Sequence, residues 1–186
     1  MSLRYGFKSE ANWYAREMRR ELKLAAHDPL CPRKLAEHLG FPVVEMSEYA
    51  KHCPDAVAYL RSTKGQKDFS AVTLFIGAAR LIIYNDRHAS TRQAADIAHE
   101  LAHGLLLHPP KPPINSDGSR HYDAALEEEA NWLGPALLVS DEAAMHIARQ
   151  RMTLLAASNV YGVSTTLIQM RMNVSGAHRR LSRRAA

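Results

Sequence analysis

No Asp or Glu follows Glu142. Residues 143–186 hold seven Arg and nothing acidic, whereas the rest of the chain carries 17 basic and 19 acidic residues. The net charge of +5 therefore belongs to the last stretch. Such a segment suits a solvated basic tail, or contact with nucleic acid or an acidic partner. Long apolar runs are also missing. None reaches the roughly 18 residues of a membrane-crossing helix, and the longest candidate, AVTLFIGAARLIIY, is interrupted by Arg80. The first ten residues, MSLRYGFKSE, lack the apolar core of a secretion signal. Cysteine is scarce: Cys31 and Cys53, each followed by proline, read as free thiols rather than a disulfide framework. No repeat or low-complexity segment occurs. These absences point to an ordinary cytoplasmic protein.

What is present suffices for one core, with 186 residues and 46% apolar content. Residues 8–26 read as a helix with Trp13, Met18, Leu22 and Leu24 on its apolar side. PRKLAEHLG reads as a short helix and FPVVEM as a short strand. FSAVTLFIG and ARLIIYN, parted by Gly77 and Ala78, read as a β-hairpin. Ser90 with Gln93 three residues on has the form of a capping box, so a helix is expected from Ser90 to about His108. Residues 109–121 are a loop by composition. A second long helix is expected from about Tyr122, kinked or broken at Gly134-Pro135. Three or four short helices fill residues 141–183.

The first of these long helices contains His99-Glu100-Leu101-Ala102-His103, which fits H-E-x-x-H. Residues four apart share a helical face, so His99 and His103 can ligate one tetrahedral Zn²⁺. Glu100 is turned about 100° around the helix from His99. From there it can act on a water at the metal without ligating it, as a general base must. A catalytic zinc site commonly takes three protein ligands and leaves one position open. The third is expected on YDAALEEEANWLG, where Glu127, Glu128 and Glu129 are candidates. Glu127 is favoured because Asn131, four residues later, shares its face and could hold a ligand imidazole by its second nitrogen. Glu128 and Glu129 are expected to be solvated. His108 is five residues past His103 and reads as a helix cap or a group supporting the ligands. A donor for the oxyanion of the tetrahedral intermediate is sought at His121 or Tyr122, with Tyr84 and His88 as alternatives.

RQAADIAHELAHGLLLH, EEEANWLGPALLVS and YGVSTTLIQMRMNVSGA together resemble the ImmA/IrrE family of zinc metallo-endopeptidases, over roughly residues 10–178. The resemblance implies His99, His103 and Glu127 as metal ligands, Zn²⁺ as cofactor and Glu100 as base. It also implies a gluzincin-like cytoplasmic peptidase whose relatives cleave helix-turn-helix repressors. The expected fold is α+β and zincin-like: a small antiparallel sheet packed on the H-E-x-x-H helix, with a helical C-terminal segment. Residues 1–140 would form the metallopeptidase part and residues 141–186 the helical segment.

Two other readings stand beside this one. LLAASNVYGVSTTLIQMRMN has the helix, turn and helix of a DNA-binding motif, with Arg171 and the Arg-rich tail as phosphate contacts. Alternatively, the chain is a metal-bound sensing module with little turnover.

Overall fold

The computed structural model describes residues 3–77, 79–109 and 122–185. The expected loop from residue 110 on, Ala78 of the hairpin turn, and His121 lie outside them.

The chain opens with α1 (Phe7–Glu21), then α2 (Pro32–His38), which starts on a proline suited to a first helical turn. β1 (Val43–Glu45) leads through a 3₁₀ turn into α3 (Pro54–Arg61) and α4 (Gly65–Asp68). β2 (Ala71–Ile76) and β3 (Ala79–Tyr84) follow, then α5 (Ser90–Leu105) and α6 (Ala124–Leu138). The last part is helical throughout: α7 (Asp141–Arg149), α8 (Leu154–Tyr161), α9 (Thr165–Ser175) and α10 (Ala177–Ala185).

The fold is α+β and helix-rich, with one small sheet, but that sheet is not purely antiparallel. Its order is β1-β3-β2. β2 and β3 form the expected hairpin, with Thr73 opposite Ile82 and Phe75 opposite Arg80. β1 pairs parallel to β3, Val44 opposite Ile83. The helices between β1 and β2 carry the chain far enough for that direction, which no hairpin could supply. β2 is left as an edge strand among the described residues.

Two apolar clusters hold the elements. One joins Phe7, Ala11 and Met18 of α1 to Leu35, Ile82, Leu101, Leu133 and Leu137. The other joins Ala98 and Leu138 to Ile147, Tyr161, Val163, Ile168 and Met172. α1 is shorter than the pattern suggested and ends at Glu21. Trp13 is exposed, and the buried face is built on Phe7, Ala11, Ala15 and Met18. Arg19 is buried on that face too. Its guanidinium donates to the carbonyls of Asp28 (2.9 Å), Ala15 (2.8 Å) and Leu138 (3.2 Å), tying α1 to the end of α6. Burial pushes it down to about 10.

Three local expectations are corrected. α5 starts at Ser90, but Ser90 makes no cap; Gln93 Nε2 instead donates to the carbonyls of Asp86 and His88. α5 ends at Leu105, short of His108. Leu107 takes a left-handed φ of 54°, and the amides of Leu107 and His108 return to the carbonyls of Gly104 (3.1 Å) and His103 (3.0 Å). This is a Schellman closure with leucine where glycine is usual. α6 runs unbroken through Gly134-Pro135.

α8 and α9 do form a helix, a tight turn at left-handed Gly162 and a second helix. Arg171, however, is only 2% exposed. It donates to the carbonyl of Val139 (2.8 Å) and pairs with Asp141 Oδ1 (2.9 Å). It is a core strut between α9 and α7 and has no face to offer a phosphate.

Candidate metal centre

α5 lies against β2 and β3 on one side and against α6 on the other. Its apolar stripe, Ile97 and Leu101, is buried and sets the helix roll. That roll leaves His99, Glu100 and His103 at the wall of a cleft of about 620 Å³. Strand β2 and the start of α6 form its other walls. Asp123 caps α6, its side chain accepting from the amides of Ala125 (3.1 Å) and Leu126 (3.4 Å). Glu127 therefore stands in the first turn of α6.

The crossing of α5 and α6 brings Glu127 to the histidines. Gly134 is seven residues beyond Glu127, two turns along the same face. A Cβ at Gly134 would lie 3.1 Å from the backbone of His99, closer than side chains usually come, so the helices approach tightly here. Glu127 Oε2 lies 3.2 Å from His99 Nε2, and Oε1 lies 3.5 Å from His103 Nε2. The two Nε2 atoms are 3.1 Å apart.

These three residues can each point one donor atom at a common centre, the atoms all lying within 4.8 Å of one another. A tetrahedral ion with bonds of about 2.0–2.1 Å has ligand atoms roughly 3.3–3.4 Å apart. The three observed separations bracket that spacing. Two imidazole nitrogens and a carboxylate form a donor set suited to zinc chemistry. The residues present thus fit a metal ion.

The electrostatics agree. Burial lowers His99, but the hydrogen bond to Glu127 and the charges of Glu100 and Glu127 outweigh it and leave His99 raised. Burial, with the charge of His99, pushes His103 down to about 4. The hydrogen bond from His99 holds Glu127 below the usual carboxylate range, against its burial. The negative charge of Glu127 thus faces two imidazole nitrogens at a point where a cation could sit.

Glu100 does not join the trio. Burial raises its carboxyl, opposed by a hydrogen bond from Thr73 Oγ1 to Oε2 at 2.5 Å. Oε1 has no hydrogen-bond partner among the described residues. Thr73 was not anticipated; its only sequence signal is a hydroxyl within an otherwise apolar strand.

The other expected residues fall elsewhere. Asn131 lines the cleft but makes no hydrogen bond to either imidazole among the described residues. His103 Nδ1 is taken instead by His108 Nδ1, at 2.8 Å. Glu129 is not solvated: it lies between His108 Nε2 (3.3 Å) and Arg4 Nε (2.7 Å). Tyr122 is 72% exposed and is not part of the cleft wall. Tyr84 donates to Glu45 Oε1 at 2.8 Å, and His88 is held between Asp96 and the carbonyl of Gln66. Neither lines the cleft. Arg80 does. Its guanidinium lies 4.9 Å from the Phe75 ring and 5.6 Å from that of Phe41, and its Nη1 is buried without a hydrogen-bond partner.

The model of the Peptidase_M78 family, an IrrE N-terminal-like domain, matches residues 36–173, more than half of the chain. No curated protein and no solved structure matches it.

Proposed function

The chain belongs to the Peptidase_M78 family, and from that premise we propose that it is a zinc-dependent endopeptidase with His99, His103 and Glu127 as metal ligands and Glu100 as general base. The observation that carries this reading is the convergence of three donor atoms 3.1–3.5 Å apart beside a buried, singly anchored carboxylate.

Zinc, when bound, supplies Lewis-acid polarisation of the scissile carbonyl and acidifies water. The chain supplies the proton handling. Thr73 holds Oε2 of Glu100 and leaves Oε1 to take a proton from the attacking water and return it to the leaving amine. The raised carboxyl pKa suits a group that must both accept and release that proton. Thr73 belongs to edge strand β2, so an extended substrate pairing with β2 would place its backbone beside Glu100. The oxyanion donor is, on this reading, His121, which lies outside the described residues, or Tyr122, which would have to turn in from its exposed position.

The family implies a protein substrate. A helix-turn-helix repressor, cleaved to relieve repression, is the substrate that the resemblance adds. The division at residue 140 and a cytoplasmic location belong to the same proposal. No helix among the described residues is long and apolar enough to cross a membrane, and both cysteines are free. Against a DNA-reading role for α9, its one arginine, Arg171, is buried.

Purified protein should carry about one zinc per chain. Glu100→Gln should keep the metal and lose about 10²–10⁴-fold in peptide cleavage. Protein free of zinc after metal-replete expression, or undiminished cleavage by Glu100→Gln, would overturn the proposal.

A further inference from the structure

The imidazole of His103 is gripped from behind. Its Nδ1 lies 2.8 Å from His108 Nδ1, on the side of the ring away from His99 and Glu127. His108 Nε2 lies 3.3 Å from Glu129 Oε2. Glu129 Oε1 accepts from Arg4 Nε at 2.7 Å, and Arg4 is itself paired with Glu10 Oε2 at 2.7 Å and packed over the Phe7 ring. His108 is 6% exposed, so its ring nitrogens depend on these partners.

The chain of contacts dictates where the protons sit. A carboxylate only accepts, so His108 Nε2 carries the hydrogen towards Glu129. With its ring hydrogen on Nε2, His108 accepts at Nδ1, and His103 donates from its own Nδ1. That leaves the lone pair of His103 on Nε2, the atom aimed at His99 and Glu127. The alternative tautomer would put a hydrogen where a metal must bind.

His108 reaches this position through the backbone. It is one residue beyond left-handed Leu107, and its amide returns to the carbonyl of His103 itself. The helix closure therefore folds the His108 side chain back over the last turn of α5, which five-residue spacing along a continued helix would not do. Leu107 is 80% exposed, so packing gives no reason for a leucine in a conformation that glycine adopts freely.

We propose that Arg4, Glu129 and His108 form a positioning relay that sets the tautomer and orientation of His103, and that metal affinity depends on it as far out as residue 4. The proposal rests on the metallopeptidase reading. It adds a requirement lying outside the segment that the family model matches. Outer partners of a ligating histidine are generally worth about 10–100-fold in metal affinity.

The test compares metal-free wild type with His108→Ala, His108→Asn, Glu129→Gln and Arg4→Ala. Zn²⁺ affinity is measured by competition with a chromophoric chelator, and the Co²⁺ derivative by its visible spectrum. His108→Ala should weaken zinc binding about 10–100-fold and alter the cobalt spectrum, because the His103 ring is free to turn. His108→Asn restores an acceptor for His103 Nδ1 and should recover most of the affinity. Glu129→Gln and Arg4→Ala should lose affinity in the same direction, Arg4→Ala the less. Both are milder changes, and they carry the test if His108→Ala does not fold. Wild-type affinity and an unchanged cobalt spectrum in His108→Ala, or in Glu129→Gln should the former misfold, would overturn the relay and leave the peptidase reading standing. Wild type that takes up neither ion would overturn both.

Discussion

His146 stacks on His27 with ring centroids 4.4 Å apart. Burial lowers its pKa, helped by the charges of His27 and Arg149. Above its ordinary value of 6.5, both folded and unfolded chains keep His146 neutral, and its contribution to stability is fully present. As pH falls through that value, the unfolded chain takes the proton first, and stability is lost until the folded pKa is passed. Wild type should therefore lose more melting temperature between pH 7 and pH 5 than His146→Gln. Equal losses would show that the stacked pair does not act this way. At this scale the sequence was readable where chemistry is local. The convergence of His99, His103 and Glu127 was legible in this way, the two histidines from helical spacing and Glu127 from the search for a third donor on a nearby acidic helix. Thr73, Glu129 and Arg4 were not readable, because each acts through a partner 21 to 125 residues away. Asn131 shows the same limit in reverse: it shares a face with Glu127, yet the imidazole it was expected to hold had already been met by His108.

Elements were legible in kind and less so at their ends. The H-E-x-x-H helix, the hairpin and the run of short C-terminal helices all match their patterns. The misreadings came from tertiary demands. Gly134-Pro135 looks like a break in isolation, since proline removes an amide donor and glycine has weak helix propensity. In the fold, glycine is what lets α6 touch the backbone of His99, and the helix persists because α1 and α5 pack on it. Replacing Gly134 by Ala sets two effects against each other. Helix propensity favours Ala by about 1 kcal/mol, while a Cβ at 3.1 Å from backbone atoms that cannot swing aside costs about 1–3 kcal/mol. The close approach should win. Urea unfolding should show net destabilisation, and zinc affinity should fall as Glu127 is levered away from His99. A more stable Gly134→Ala with unchanged affinity would mean that the crossing is looser than described. The parallel pairing of β1 was invisible for a related reason: three residues of strand reveal neither partner nor direction.

For the whole molecule, α5 and α6 are consecutive helices that meet across the cleft, and a metal held by His99, His103 and Glu127 would clamp them together. Ions that bind only the folded state stabilise it by mass action, about 2.7 kcal/mol at 100 times the dissociation constant. For a chain of this size that corresponds to about 5–10 °C. Adding a chelator should lower the melting temperature of zinc-loaded wild type by this order and leave Glu127→Ala unchanged. A wild-type melting temperature indifferent to chelator would argue that the trio holds no ion. The mixed fold class was legible because helical and alternating apolar patterns are both strong. The basic C-terminal stretch was ambiguous because sequence does not show which arginines are buried, and Arg171 proved to be core.

The same architecture separates two ideas of a domain. The family match begins at residue 36, after α1 has already covered α6 with Phe7, Ala11 and Met18 and after Arg4 has reached Glu129. What the family model describes is thus the segment that bears the candidate ligands. The unit of folding is larger. A fragment trimmed to the matched limits would keep every candidate ligand and lose the wall behind them.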